Sequence, residues 1–312
     1  MNDAPRSIAG LVLAAGYGER MLPLTRAVPK PLLPVLGVPV FEIVVRKLLR
    51  AGARSIHANL HHLPDAIERY AEDRDLPVVF HREETILGTG GGIGAMASAV
   101  ADAECVLLHN ADCVSDIDLA PALAFHASRR PLVTLILVPE GPRANVAVTE
   151  RGDVTSIGGP ARSEGGFLGY AGMAILSPSS LSSFPPDRKA GLVEIISGMI
   201  ELRPGSIAGW NAGARGRPYA WGDCGSPAPY LDVHRRILLE KTEFDPSVVP
   251  PSGPVHEGEG SVVEPGAQLR GFCEVGPRAT IGRGACVENC VLLEGARVAE
   301  GERRRNEIIF PG

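Results

Sequence analysis

Aromatic residues make up only 5% of this 312-residue chain and charged residues only 21%, while hydrophobic residues reach 45%. So little charge beside so much apolar material excludes intrinsic disorder. Long apolar runs are also missing. None approaches the roughly 18 residues of a membrane span, which predicts no membrane partner. The N-terminal apolar stretch Ile8–Ala15 runs straight into Gly16-Tyr17-Gly18. That is too short for a secretory signal, so it reads as a buried strand of a cytoplasmic protein. There is no positive excess either. The net charge of −5 argues against nucleic acid as a partner. The six cysteines (Cys105, Cys113, Cys224, Cys273, Cys286, Cys290) show no C-x-x-C spacing. They read as reduced core residues, not as a zinc site or a disulfide framework.

Glycine and proline are abundant instead, at 37 and 27 residues, against roughly 12% combined in average usage. No Gly-X-Y period exists, which excludes collagen. Residues 1–252 hold 26 glycines, and the far shorter stretch 253–312 holds 11. Between them, Pro246-Ser247-Val248-Val249-Pro250-Pro251-Ser252-Gly253-Pro254 suits neither a helix nor a central strand. The expected organisation is a first domain over 1–245, a Pro-rich linker over 246–256 and a second domain over 257–312.

Upstream, short apolar runs alternate with amphipathic stretches. Strands are expected at Ile8–Ala15, Ser55–Leu60, Pro77–His81, Glu104–His109 and Leu132–Val138, and helices at Val40–Ala51, Pro64–Asp73, Gly92–Ala101 and Pro121–Arg129. This alternation predicts an α/β fold, a Rossmann-like and mostly parallel sheet with helices on both faces. Ligands of such sheets bind outside the carboxyl ends of the strands. Downstream the period becomes six: Val263, Leu269, Val275, Ile281, Val287 and Leu293 are all aliphatic. A hexapeptide step predicts a parallel β-helix of about two coils. A stack that short is expected to dock on the first domain or on another subunit, hence a homo-oligomer through the β-helix.

The chemistry concentrates in Leu13-Ala14-Ala15-Gly16-Tyr17-Gly18-Glu19-Arg20-Met21-Leu22-Pro23-Leu24-Thr25, followed by Pro29-Lys30-Pro31-Leu32. A strand ending in a small, glycine-rich turn offers backbone N–H groups to phosphate oxygens. Arg20 and Lys30 add fixed positive charge. The glycine spacing matches neither Walker A nor G-x-G-x-x-G. Asp112 follows the apolar strand Glu104–His109, at a strand's carboxyl end, where a carboxylate suits Mg²⁺. Asp116 and Asp118 read as a helix cap and a solvated turn. His61 and His62 read as capping or packing residues, and Arg303-Arg304-Arg305 as a solvated run.

L-A-A-G-x-G-x-R-M-x-P-L-T followed by P-K-P-L resembles the signature of the sugar-1-phosphate nucleotidyltransferases. The resemblance runs from about Ile8 to Leu239. It includes Asn59-Leu60-His61-His62-Leu63, Leu87-Gly88-Thr89-Gly90-Gly91, Asn110-Ala111-Asp112 and Trp221-Gly222-Asp223-Cys224-Gly225-Ser226. It implies a nucleoside triphosphate and a sugar 1-phosphate as substrates, and a left-handed C-terminal β-helix. It also implies Mg²⁺ between Asp112 and Asp223, with Arg20 on the β,γ-phosphates and Lys30 on the α-phosphate. Leu13, Ala14, Ala15, Gly16 and Gly18 would line the phosphates, and Glu83, Gly88 and Thr89 the nucleobase. Asn145 and Gly172 would meet the sugar. The L-G-T-x-G form is similar to mannose-1-phosphate guanylyltransferases and favours GTP. Arg82-Glu83-Glu84 followed by T-x-G-G-I is similar to N-acetylmuramate-1-phosphate uridylyltransferases, which keeps UTP open. Where relatives carry Glu-Lys-Pro, this chain reads Ile157-Gly158-Gly159-Pro160, with Arg162 nearby and no lysine. That departure leaves the sugar open and admits a non-catalytic, nucleotide-sugar-binding paralogue. Acyl transfer by the hexad domain is disfavoured, because no histidine follows His256.

Overall fold

The computed structural model describes residues 7–139, 144–158, 167–216 and 218–311. Gly159 and Pro160, in the stretch that lacks the lysine, and nearby Arg162 lie outside the described residues. In chain order, β1 (Ile8–Leu13) leads to a short hairpin, β2 (Pro34–Val35) and β3 (Val38–Pro39). Next come α1 (Val40–Arg50), β4 (Ala53–Leu60), α2 (Pro64–Asp73), β5 (Val78–Arg82) and α3 (Gly88–Met96). Strands β6 (Cys105–Asn110) and β7 (Cys113–Ser115) precede α4 (Ala120–Arg129). Strands β8 (Val133–Val138), β9 (Ala144–Val148), β10 (Val154–Ile157) and β11 (Phe167–Leu176) lead to α5 (Leu192–Leu202), β12 (Ile207–Asn211), β13 (Trp221–Asp223) and α6 (Pro227–Glu240). The C-terminal strands are β14 (Val255–Glu257), β15 (Val262–Val263), β16 (Gln268–Val275) and β17 (Thr280–Ile281), then β18 (Cys286–Leu292), β19 (Arg297–Val298), β20 (Arg303–Arg305) and β21 (Ile308–Ile309). Among the described residues no helix is long and apolar enough to cross a membrane.

Two compact units interleave along the chain. One comprises Met1–Tyr17, Val44–Ala111 and Ile117–Tyr219, and the other Gly18–Ile43, Asp112–Asp116 and Ala220–Gly312. The first is built on a nine-stranded sheet in the order β10-β9-β11-β6-β1-β4-β5, with β8 pairing β11 and β12. The pairs β1–β4, β1–β6, β4–β5 and β12–β8 are parallel, and β11 runs antiparallel to β6, β8 and β9. The mixed, mostly parallel sheet with its helices is the expected Rossmann-like arrangement. β1 reads Ile-Ala-Gly-Leu-Val-Leu because it lies between β4 and β6 and is covered on both faces.

The third expected helix departs from the sequence reading. It begins at Gly88 rather than Gly92, so the glycine run lies within α3. A Cβ at Gly90 would come within 2.4 Å of Ile195 Cδ1, one at Gly91 within 2.5 Å of Arg188 O, and one at Gly94 within 2.3 Å of Pro185 O. The glycines let α3 lie against neighbouring backbone, and that packing overrides their low helix propensity.

In the second unit, β13 pairs antiparallel with β7, setting Asp223 opposite Cys113. Helix α6 packs on β13 and also on β16 and β18. The C-terminal strands stack in parallel as β14-β16-β18-β20, with β21 on β18, and as β15-β17-β19. Their inward residues, including Val275, Ile281, Val287, Leu292 and Val298, form one buried core. This stack is consistent with a parallel β-helix. The hexad phase slips within it. Val255 pairs with Cys273 and Gln268 with Cys286, each a step of three full hexads, but the step from Val275 to its partner Leu292 falls one position short. Leu292, not Leu293, therefore continues the Val275 column. The stack also extends to Ile309, past the two coils expected. One corner has a defined chemistry: Gly271 and Asn289 are left-handed, at φ 63° and 54°. A Cβ on Gly271 would fall 1.9 Å from Asn289 Oδ1, which accepts the Phe272 N–H at 3.3 Å.

Candidate active site

The second unit gathers the charged candidates. Gly18 takes a left-handed conformation (φ 68°, ψ 33°), and its carbonyl accepts the Thr25 hydroxyl at 3.0 Å. A Cβ there would sit 2.8 Å from Thr25 Cγ2 and 3.2 Å from Lys30 Cβ, so glycine lets the turn close beside Lys30. Lys30 opens a 3₁₀ turn after buried Pro29, and its side chain is 12% exposed. Its Nζ forms an ion pair with Asp112 Oδ2. Asp112 lies between β6 and β7, and its carbonyl accepts the Cys224 N–H at 2.7 Å. That bond ties Asp112 to the segment leaving β13. Asp223 ends β13, and its Oδ1 accepts the Gly225 N–H at 2.6 Å.

Gly225 is the meeting point. A Cβ on it would lie 2.6 Å from Arg20 Nη2, 2.6 Å from Asp223 Oδ1 and 3.0 Å from Lys30 Nζ. Residues from four separate stretches, at 20, 30, 112 and 223–225, thus form one cluster of two cations and two carboxylates. Burial first, and then the Asp112 charge, push the Cys113 and Cys224 thiols well above the ordinary cysteine range; Lys30 opposes this. Such burial makes both thiols poor nucleophiles. Asp116 is not the helix cap expected: its Oδ1 accepts the Ala220 N–H at 2.6 Å, tying it to the segment before β13, whereas Asp118 Oδ1 accepts the Ala120 N–H at 2.9 Å at the start of α4.

The first unit holds the other candidates. The strand β1 ends at Leu13, which is half-buried; Ala14 and Ala15 are buried and Gly16 is exposed, with nothing within 4 Å of where its Cβ would stand. The Ala14 N–H is bound at 2.9 Å by Asn59 Oδ1. Asn59 Nδ2 donates to Glu83 Oε1 at 2.7 Å, and Glu83 Oε2 accepts the Leu87 N–H at 2.9 Å. Both carboxylate oxygens of Glu83, which the resemblance places at the nucleobase, therefore hold the protein's own loops together. Glu84 is exposed. The Glu83 carbonyl accepts from His61 Nδ1 at 2.9 Å, leaving His61 Nε2 to accept the Tyr17 hydroxyl at 2.8 Å. Gly88 (φ 70°) lies against the Ala190 carbonyl, and Thr89 Oγ1 accepts the Leu192 N–H at 2.8 Å, so these two anchor α3 to the start of α5.

Asn145 and Gly172 stand apart from those networks. Asn145 is half-buried on β9, and its carbonyl accepts the Gly158 N–H at 3.0 Å. Gly172 has φ 76° at the irregularity of β11 between Tyr170 and Ala174. Asn59 and Gly225, neither of them a candidate from the sequence, each stand at the centre of one unit's network. Each already stands in a quoted motif, N-L-H-H-L and W-x-D-x-G, and that was the available signal.

Residues 9–157 match the family described as nucleotidyl transferase. A mannose-1-phosphate guanylyltransferase of Mycobacterium tuberculosis is 30% identical over 315 residues, covering 96% of this chain and 83% of that protein. A UTP–glucose-1-phosphate uridylyltransferase of Synechocystis is 26% identical, covering 96% and 86%. A Bacillus anthracis crystal structure, provisionally assigned as a glucose-1-phosphate thymidylyltransferase in complex with a sucrose, superposes with a TM-score of 0.61. That match is at 16% identity over 73% of this chain and 94% of the other, and it speaks for the fold alone. Sequence relatives, fold and the clustered motif residues agree: the chain belongs to the sugar-1-phosphate nucleotidyltransferase family.

Proposed function

We propose that this enzyme moves a nucleotidyl group from a nucleoside triphosphate, with GTP preferred, to a sugar 1-phosphate in the presence of Mg²⁺. The observation that carries the reading is the cluster at Gly225, where Arg20, Lys30 and Asp223 converge and Lys30 is paired with Asp112. Two cations beside two carboxylates suit a polyphosphate accompanied by a hard divalent ion. The donor set fits that ion. Asp112 Oδ2 already accepts a cation, the Lys30 ammonium, and Asp223 adds a second hard oxygen. Mg²⁺ takes one or two protein carboxylates and fills its other positions with substrate phosphate oxygens and water. Held by Asp112 and Asp223, Mg²⁺ would neutralise phosphate charge.

In the reaction, a sugar-phosphate oxygen forms a bond to the α-phosphorus in line. The α–β bridging P–O bond breaks, and its electron pair leaves with pyrophosphate. A phosphate dianion is already a competent nucleophile, so no protein base has to remove a proton. The chain contributes positioning and charge: Lys30 toward the α-phosphate and Arg20 toward the β,γ-phosphates. Leu13, Ala14, Ala15, Gly16 and Gly18 supply a backbone-lined approach for the triphosphate. Asn59, Glu83, Gly88 and Thr89 hold the loops on the base side, and Asn145 and Gly172 serve the sugar. The GTP preference draws on the mannose-1-phosphate guanylyltransferase relative.

The test is pyrophosphate release from four nucleoside triphosphates against a panel of sugar 1-phosphates with Mg²⁺. GTP with mannose 1-phosphate is expected to be fastest; UTP with glucose 1-phosphate ahead of it would replace guanylyl by uridylyl transfer. Lys30→Ala is expected to lower kcat by about two to three decades, as for loss of an oxyanion-type donor. Near wild-type turnover in that variant would refute the role given to Lys30.

A further inference from the structure

The second unit contains a buried ionisable pair that the reaction above does not use. His234 on α6 is 0% exposed and Glu274 on β16 is 1% exposed, with His234 Nε2 at 3.3 Å from Glu274 Oε2. His256 on β14 stands beside them, its Nδ1 3.9 Å from Glu274 Oε1. The protons can be placed. His234 Nδ1 is 3.0 Å from the Tyr230 carbonyl, and a carbonyl can only accept, so Nδ1 carries hydrogen. Nε2 and Oε2 are both buried and neither makes an aligned hydrogen bond, so their 3.3 Å approach is a close polar contact between α6 and the β-helix strand.

The same helix reaches the catalytic cluster by three further contacts. The Tyr230 hydroxyl donates to the Pro34 carbonyl, four residues after Lys30. Val233 fills the space that a side chain at Gly222 would need, since a Cβ there would lie 2.4 Å from Val233 Cγ2. Arg236 Nη1 donates to the Trp221 carbonyl at 2.8 Å. Together with His234, these residues make α6 a strut. One side holds the Lys30 segment and the strand ending in Asp223, and the other is fixed to Glu274.

We infer that Glu274 is a positioning residue for the Lys30–Asp112–Asp223 centre, acting through His234 and α6, so that the β-helix is part of the catalytic scaffold. This rests on the proposed assignment of that centre. The experiment compares the full-length wild type with Glu274→Ala, Glu274→Gln and, as a site control, Lys30→Ala. It reads steady-state rates and peptide-level hydrogen exchange without substrate or metal. In Glu274→Ala, kcat falls about tenfold while KM for the nucleotide holds, as for other residues that orient a ligand-bearing group. Exchange rises in the 30–36 and 221–226 segments and stays unchanged in 83–92. Glu274→Gln recovers most of the rate, because it keeps the length and a polar tip at the His234 contact. Wild-type kcat and exchange in Glu274→Ala overturn the inference. So does a uniform rise in exchange across β14–β18 with no recovery in Glu274→Gln, which would make Glu274 a fold residue only. If Lys30→Ala instead turns over normally, the assignment of the centre falls, while the exchange data still judge the strut.

Discussion

Replacing Gly225 with alanine separates catalysis from folding more cleanly than removing any charged group. The backbone at Gly225 is not in the left-handed region, so alanine can adopt its conformation. The new methyl group would meet the tips of Arg20 and Lys30 and the Asp223 carboxylate, at 2.6, 3.0 and 2.6 Å. The exposed Arg20 guanidinium can swing away at little cost to the fold, Lys30 can shift only with its Asp112 partner, and the lost backbone freedom of the unfolded chain offsets part of the cost. The cost falls on position instead. Restoring an ordinary contact of about 3.4 Å pushes Arg20 Nη2 back by roughly 0.8 Å, and displacement of about 1 Å at a reacting centre costs on the order of 100-fold in rate. That equals about 2.7 kcal/mol of transition-state stabilisation. Gly225→Ala is therefore expected to lower kcat by about two decades while its melting temperature stays near that of the wild type. Coupled pyrophosphate release and a thermal melt on the same preparation measure both. A kcat within threefold of wild type would show that the Arg20 and Lys30 positions around Gly225 do not matter to the chemistry.

Two further substitutions test the scaffold. Gly94→Ala sets a methyl group 2.3 Å from Pro185 O and 2.6 Å from Phe184 O, both backbone atoms that cannot rotate away. It is expected to cost about 2–3 kcal/mol, a drop of roughly 5 °C or more in Tm, and an unchanged melt would refute the packing role of the glycine run. Burial holds the His126 imidazole down at about 4, while its two nitrogens meet Thr134 Oγ1 at 2.8 Å and Ser177 Oγ at 3.1 Å. The native state favours the neutral ring, so the unfolded chain takes up the proton first as pH falls. His126 thus contributes fully above pH 6.5, and its contribution is lost between pH 6.5 and about 4, amounting to about 3 kcal/mol. Burial lowers His57 and His81 as well, which adds loss of the same sign. Stability should therefore fall between pH 7.5 and pH 4.5 for the wild type, read as denaturation midpoints, and fall less for His126→Gln. Equal drops in the two proteins would refute the assignment.

The sequence shows most where one physical demand leaves one pattern. The unbroken apolar run of β1 demands cover on both faces, and it lies between β4 and β6. The six-residue aliphatic step demands a stack of short parallel strands. It loses its phase only where the coil shortens by one position, and pairs Val275 with Leu292. Arg20, Lys30, Asp112 and Asp223 are legible as charges in motifs, but their convergence joins the turn after β1 to the end of β13, and no local pattern encodes it. Glycine is the least legible residue, because a missing side chain looks the same whether a ligand or a neighbouring backbone needs the space. Gly90, Gly91 and Gly94 face the fixed Ala190, Arg188 and Pro185 carbonyls, so their bareness serves packing. Gly225 faces two cationic side-chain tips and a carboxylate. Against a carbonyl, an added methyl group must move the fold; against charged tips, it moves only the charges. The neighbours of the absent Cβ, more than the glycine itself, therefore separate a structural position from a chemical one.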